Sequence, residues 1–588
     1  MTMNTVLNRL GKIGFFMILL QIFVTSCYKI DLESFQADTP EISFPELTIT
    51  VPSKLDTIEL PIVANLPWRV KTNVDWLTFV KPNGEGTGTF KVAIARNRVT
   101  TARTAEIIGY ITGDTQVKMT LIQEGGEPAP DETRHFHVKM SGNPDKDGLS
   151  WTDATTLAAA LEEAKDGDFI HIAGGTYVPT VTVTGGSTAN ANDHTFEIAQ
   201  NIHIIGGYPA DATEGSVADP EIYPVVLSGN DQNYHVVVVS AIPEGDHYVS
   251  MRGIIISKGH AGSSGNVSVN GVNVARNYGG GLVVVKSKLH LDNCRIHDNV
   301  SDGHIPGVYM LAQAEVIMRN TSISNNRGIS NGGGIWNDGS TLYMYDSEVI
   351  GNIANGVGGG IYSLNTGVDT YNYLYNVTIA DNQVGAVGFA RVGAGIYSRE
   401  RSRYTIVNCS IYGNKNIGTG FGAGITAYGG STVDIINTTI SNNEGGVGNA
   451  ASNGGSGVFN NNSPTANTIN IYNSIVSGNT GHANEIGGAN INLQSSIVGS
   501  AVYNYDKAIE AGQSFDPSTM FSPFAQYGTG FGKSLPVLNN TPATLFGMTL
   551  LQLQVLGANL DLDENYYLQD QNNGSRTGTT VMGAALPL

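Results

Sequence analysis

The chain of 588 residues is short of cysteine, tryptophan and charge. Its 3 cysteines, Cys27, Cys294 and Cys409, are too few for the disulfide framework of a small secreted scaffold. Lys and Arg total 32 against 51 Asp and Glu, a net charge of −19. So few basic residues exclude a phosphate-binding surface, and with it nucleic acid as a partner. Electrostatic docking on anionic lipid is excluded on the same ground. After residue 27 no apolar run is long enough to cross a bilayer. What is plentiful is glycine, with 73 residues clustered in doublets and triplets. That is about 12%, against a usual ~7%, and the clustering points to a repeat. The length exceeds what one ordinary core can organise, so several domains or a repeat array are expected.

The first 26 residues hold Arg9 and Lys12 and no acidic residue. Without them the balance is 30 basic against 51 acidic, or −21. Gly14 to Val24 is an apolar run too short to span a membrane comfortably. It ends in Phe23-Val24-Thr25-Ser26-Cys27, which resembles a lipobox. The resemblance implies a lipoprotein signal peptide over 1–26, lipidation of Cys27 and a polar tether over 27–43. Acyl chains would then be the only anchor. Lys29 and Asp31 partly resemble the surface-export signals of Bacteroidetes lipoproteins. An outer-membrane lipoprotein exposed at the cell surface is therefore expected.

Residues 44–126 read as short strands separated by Pro, Asn and Gly turns, the pattern of a β-sandwich. Examples are Leu47 to Val51, Thr89 to Ile94 and Val117 to Ile122. Pro67-Trp68-Arg69-Val70, Asp75-Trp76-Leu77, the run Pro82 to Gly88, Asn97, Arg103 to Ile107 and Leu121 to Gly125 resemble the BACON domain. That is an immunoglobulin-like module of Bacteroidetes surface proteins. The family implies carbohydrate association, so Trp68 and Trp76 become candidate sugar-stacking residues, although Trp at such positions commonly packs in a core. Residues 127–133 form a Pro-rich acidic linker.

Beyond residue 250 one pattern recurs: Asn, two residues, Ile or Val, two residues, Asn. Its copies centre on Ile296, Ile323, Val349, Ile379, Ile411, Ile440 and Val476, spaced 27, 26, 30, 32, 29 and 36 apart. Glycine-rich triplets keep step, among them Gly279 to Gly281, Gly332 to Gly334 and Gly358 to Gly360. Between the two elements lies an alternating strand, as at Leu289/Leu291 and Val316/Met318. Each unit is thus three short strands joined by bends that Gly and Asn tolerate. A unit this short buries its apolar residues only by coiling parallel onto the previous one, with like residues stacked at about 4.8 Å. The fold class is all-β: a right-handed parallel β-helix of three-strand coils after an N-terminal immunoglobulin-like β-sandwich. Cys294 and Cys409 lie four coils apart, roughly 19 Å, too far for a disulfide.

Open stack ends need caps. A capping helix is expected at about 153–165, with Asp153 as N-cap and Leu157, Ala160, Leu161 and Ala164 on one face. A C-terminal cap is expected at about 500–588. Trp151 to Tyr177, with Phe196 and Ile204 to Tyr208, resembles the opening of pectate-lyase-like β-helix proteins of bacterial surfaces. Leu568-Gln569-Asp570, Gly574-Ser575-Arg576 and Gly583-Ala584 resemble their closing motif, with Met582 in place of the usual acidic residue. The resemblance spans about 134–588.

This fold hosts lyases, hydrolases and adhesins, so it assigns no reaction. The Asn-Thr-Asp, Asp-Asp and Arg-Ile-Lys signatures of polygalacturonases are missing, as is the Trp-Ile-Asp-His run of pectate lyases. Asp298, Asp302, His304 and Lys258, with His260 and His297, are the candidate polar site; solvated turn residues are the plainer reading. Arg399, Arg401 and Arg403 are candidate ligand contacts in an otherwise acidic chain. The run Asp561 to Asn572 fails as a Ca²⁺ loop, because Tyr566 stands where Gly is needed. No metal site and no cofactor is expected, with Ca²⁺ relevant only to a lyase. The reading favoured is a monomeric, non-catalytic surface lipoprotein that binds a polysaccharide or surface glycan along a β-helix flank. The alternative is a polysaccharide lyase or glycoside hydrolase.

Overall fold

The computed structural model describes residues 39–587, apart from 54–56, 75, 96, 98–100, 112–114, 126–132, 244, 366, 386–391, 447–453, 463, 500, 504–518, 528–532, 540, 546, 573 and 577–580. Cys27 and most of the expected tether and linker lie outside the described residues. The chain forms two compact units, Met1–Pro128 and Ala129–Leu588.

In the first unit, one sheet joins Ile42–Ser43, Thr57–Ala64, Gly88–Ile94 and Leu77–Phe79. The other joins Thr48–Val51, Gln116–Gln123, Arg103–Tyr110, Trp68–Thr72 and Asn83–Gly84. Alternation along Thr57–Ala64 puts Leu60, Ile62 and Ala64 inward. They pack with Phe90, Ile107 and Leu121 between the sheets.

In the second unit one coil shows the plan. Leu282–Val285 lies in sheet I, Lys288–Asp292 in sheet II, Arg295–His297 in sheet III and Val300–Ser301 in sheet IV. Among the described residues, sheets II and III have 12 strands each, sheet I has 10 and sheet IV has 6. The three main strands match the repeat; the two-residue strands of sheet IV are an addition that it did not announce. Ile296, Ile323, Val349, Ile379, Ile411, Ile440 and Val476 stand in successive register. All are fully buried, forming a column through the core.

The two Asn positions of the repeat do different work. The first, from Asn293 through Asn473, adopts φ near +50° at the corner between sheets II and III, where Asn is among the few tolerated residues. The second forms a buried amide ladder. Asn299 Nδ2 donates to Asn326 Oδ1 at 2.9 Å, and the chain continues through Asn352, Asn382, Asn414, Asn443 and Asn479. Glu485 closes it, accepting from Asn479 Nδ2 at 2.6 Å. The glycine triplets serve the same ladder. A Cβ on Gly360 would stand 3.0 Å from Asn382 Nδ2, while Gly332 supplies φ +71° one corner earlier.

The N-terminal capping helix spans Leu157–Glu163, shorter than expected, and Thr156 rather than Asp153 is its N-cap. The reason is local: Thr155 bridges to Val138 and fixes the preceding backbone, while Asp153 pairs with Lys146 at 2.8 Å. At the other end Ala501–Tyr503 turns back antiparallel on Ser496–Val498. Of the described residues beyond 518, Met520, Val537, Ala543, Val581 and Met582 pack with Ile475 and Ile497 of the last coils, while Met548, Leu553, Leu562 and Tyr567 cover the corner between sheets II and III, where Tyr375, Val407 and Ile436 face outward. Cys294 and Cys409 are free and buried, as their coil positions required; burial pushes both thiols up to about 12.

His235 carries a pH dependence. It is 3% exposed and Nδ1 pairs with the Gly279 carbonyl at 3.0 Å. Nε2 has no partner among the described residues. Burial holds its pKa down at about 4. The unfolded chain therefore binds this proton more readily, so the stabilising contribution is complete above pH 6.5 and is lost as pH falls toward 4. A loss of about 2–3 kcal/mol across that window is expected in urea unfolding, and His235→Phe should flatten the slope.

Candidate functional site

The candidate polar residues do not converge. Lys258 and Asp298 both occupy the left-handed corner after sheet III, with φ of 58° and 54°. Their coil equivalents are Asn325, Gly351 and Asp381, so these are turn positions. Asp298 accepts from its neighbour His297 at 2.8 Å. Asp302 pairs with His260 at 3.1 Å. His304 turns away, edge-on to Tyr278 and Trp336 at 4.8 and 5.4 Å, and burial lowers its pKa.

The three arginines diverge as well. Arg399 lies on sheet I, bonded to the Tyr362 hydroxyl at 3.2 Å and to Glu400 at 2.7 Å. Arg401 is an exposed corner residue with φ 63°. Only Arg403 faces outward on sheet II, with its guanidinium 6.0 Å from the Tyr371 ring. In the first unit Trp68 is 2% exposed and donates to the Gly86 carbonyl at 2.6 Å, so its ring is core. Trp76 is half-buried, with the Arg103 guanidinium 4.3 Å over its ring.

The outward face of sheet II is where surface chemistry concentrates. Alternation sends Leu289 and Leu291 inward and His290 outward. One outward column runs His135, Phe169, His203, Ser250 in successive register. It continues through His290, Ile317, Tyr343 and Tyr373. Where Ser250 offers no ring, Tyr248 supplies one, stacked on His290 at 3.8 Å. His135 stacks on Phe169 at 4.9 Å, Phe169 meets His203 at 4.6 Å, and Tyr343 stacks on Tyr373 at 4.8 Å. Only Ile317 interrupts the rings. Eight rungs at the usual spacing give a stripe about 34 Å long. Its residues are half-buried, with rings of neighbouring rungs stacked face to face along the column, and His135 is exposed.

Beyond Tyr373 the column turns polar: Thr405, Asp434, Asn470 and Asn492. Asn492 donates to Asn470 and Asn470 to Asp434, both at 2.7 Å. Burial raises the Asp434 carboxyl, against the Asn470 hydrogen bond and the Arg403 charge. In the ring section burial lowers His203 and His290 and raises Tyr343 and Tyr373. The stripe is thus predominantly uncharged at neutral pH. Beside it the C-terminal segment makes a wall, with the Tyr566 ring against Tyr345 and Tyr375 at 5.1 and 5.2 Å.

The sequence reading missed this face. Its signal was present in the odd positions of strands already recognised, such as Ile317 between Val316 and Met318. Before residue 250 the Asn repeat gives no register, and only the resemblance of Trp151 to Tyr208 to the opening of such helices marked the first rungs.

Comparison with known proteins agrees with this architecture. The family profile of right-handed β-helix regions matches residues 252–440. The BACON profile, described as "Putative binding domain, N-terminal", matches residues 66–124. No curated protein matches the chain. Among solved structures, the chain is similar to the pectate lyase Pel9A, at 14% identity over 72% of this chain and 93% of that one, with a TM-score of 0.41. A rhamnogalacturonan lyase follows at 13% identity over 66% of this chain and 91% of that one, TM-score 0.35. Likenesses this distant carry no argument about activity.

Proposed function

We propose that this chain, a BACON module followed by a right-handed β-helix, binds an extended glycan along the outward face of sheet II without cleaving it. The observation that carries the reading is the stripe of rings from His135 to Tyr373. A continuous row of half-buried, largely uncharged rings offers apolar surface to the C–H groups of pyranose units. Their repeat along the axis is close to the length of one sugar residue, so successive units can meet successive rungs. Arg403, Asp434 and Asn470 supply polar contacts for hydroxyls at one end. The wall at Tyr566 restricts lateral movement. The reading also takes Cys27 as the lipid-bearing residue that would hold the protein at the outer membrane, displaying the flank to polymers outside. Non-catalytic binding is favoured because Asp298, Asp302 and His304 engage separate partners and Lys258 occupies a turn corner.

The test is affinity electrophoresis of the full chain against a panel of plant and host polysaccharides. At least one should retard the protein. Tyr343→Ala and Tyr373→Ala should each weaken that binding about tenfold, roughly 1.4 kcal/mol, while Ile329→Ala on an exposed turn should not. Unchanged retardation in the double tyrosine variant would remove the stripe from the reading. Release of unsaturated or reducing ends would replace binding with catalysis.

A further inference from the structure

At the first two rungs of sheet II three histidines lie side by side. His135 and His137 come from His135–Val138, and His171 from Phe169–Ala173. The His171 ring lies nearly parallel to both, with centroids 5.2 Å from His135 and 5.3 Å from His137. His135 Nδ1 and His171 Nε2 face each other at 2.9 Å. The second nitrogen of His171 is also engaged, with Nδ1 at 2.8 Å from the Tyr208 hydroxyl. His137 takes no part in the pair, because its Nδ1 is turned to the Gly148 carbonyl at 3.1 Å.

We propose that His135 and His171 form a two-imidazole site for a borderline divalent transition-metal ion, with Cu²⁺ the preferred occupant. Two nitrogens this close hold one proton between them in the hydrogen-bonded form. A metal ion can replace that proton. The displaced proton moves to the outer nitrogen of its own ring, so that His135 carries a proton on Nε2, His171 carries one on Nδ1, donated to Tyr208, and both facing nitrogens present lone pairs. No proton need leave the protein. Two imidazole nitrogens at about 2.0 Å from an ion, in adjacent corners of a square plane, lie about 2.8 Å apart. The observed separation of 2.9 Å matches that distance, and the exposed His135 ring turns so that its Nδ1 lone pair, now aimed at His171 Nε2, converges with it on the ion. Copper(II) is preferred because tetragonal nitrogen sites suit it and its affinity heads the divalent series.

Two surrounding features support ligation. Tyr208 fixes the orientation of His171 from outside the coordination shell, as partners of metal-bound histidines do. Phe169, stacked on His135 at 4.9 Å, gives the site an apolar wall. Among the described residues no group of three or more His, Cys, Asp or Glu is placed to hold a metal. The site therefore rests on two protein ligands, with water completing the shell. It goes beyond glycan binding and does not depend on it.

Titrate the full chain with CuCl₂ and record electron paramagnetic resonance spectra. One equivalent should bind with hyperfine structure from two imidazole nitrogens. His135→Gln and His171→Gln should each raise the Kd at least tenfold, and Tyr208→Phe should raise it less. His203→Gln, in the same stripe but bonded to Ser250 at 2.8 Å, should leave it unchanged. Fewer than two nitrogens on copper in the unaltered protein would overturn the proposal whether or not the variants fold. So would a two-nitrogen signal that persists in the His135→Gln/His171→Gln double variant.

Discussion

Asn382→Ala is expected to lower the unfolding free energy of the helix unit by about 3–5 kcal/mol, read from the urea midpoint. Asn382 is fully buried in the middle of the amide ladder. Its Oδ1 accepts from the Asn352 backbone N–H at 2.9 Å and from Asn352 Nδ2 at 3.0 Å. Its Nδ2 donates to the Val349 carbonyl at 2.8 Å and to Asn414 Oδ1 at 3.0 Å. Alanine leaves the Asn352 backbone N–H without its acceptor and takes one donor each from the Val349 carbonyl and Asn414 Oδ1, where water cannot reach. Each buried orphan costs about 1–3 kcal/mol, and the cavity adds to that. Asn382→Asp separates hydrogen bonding from volume. It keeps the shape and the acceptor but loses the donor and buries a charge. It should be at least as damaging at pH 7 and should recover partly in acid, as the carboxyl takes a proton. If both variants melt with the parent, the ladder is decoration rather than support.

Arg576→Leu should release the C-terminal segment, at a cost of about 3–5 kcal/mol. Arg576 is 1% exposed, and its guanidinium donates to the carbonyls of Gln569, Val581, Gly583 and Ala584. Burial pulls its pKa down to about 10, and the Asp570 charge opposes that fall. Asp570 organises the same turn, accepting from the N–H groups of Asn572, Gly574 and Leu586. The segment is moored to the corner asparagines. Asn437 Nδ2 donates to the Tyr567 carbonyl at 3.0 Å and Asn473 Nδ2 to the Val581 carbonyl at 3.0 Å. Leucine fills the volume but withdraws the guanidinium from all four carbonyls, of which Gln569, Val581 and Ala584 keep one other donor each. Limited proteolysis should then cut near 541–587 before the coils, because the segment unfolds on its own while each coil leans on its neighbours. Lysine should not rescue it, since a single ammonium cannot serve carbonyls spread around a planar fork.

The Asn of the second repeat position was legible because its role is local and repeated. Each copy needs the same amide at the same point of each coil, so selection by geometry leaves a period in the chain. The ring stripe left a weaker trace. Phe169 and Tyr343 belong to one surface only because rungs far apart in sequence stack, and no period marks the rungs before residue 250. The two-histidine pair was illegible for the same reason: His135 and His171 are 36 residues apart and diagonal in register. For Trp68 the sequence left sugar stacking open beside the core reading. Its neighbours resemble a binding module, but only the packing against Phe90, with ring centroids at 6.2 Å, decides that it faces inward.

Composition and periodicity were enough to determine a parallel coil with a buried aliphatic column and free cysteines, because stacking repeats the same contact at every turn. The tertiary structure decided which outward side chains become neighbours and where the C-terminal segment lies. Those contacts join single, unrepeated residues across long loops, and their geometry is fixed by the register of the whole stack rather than by any stretch of chain.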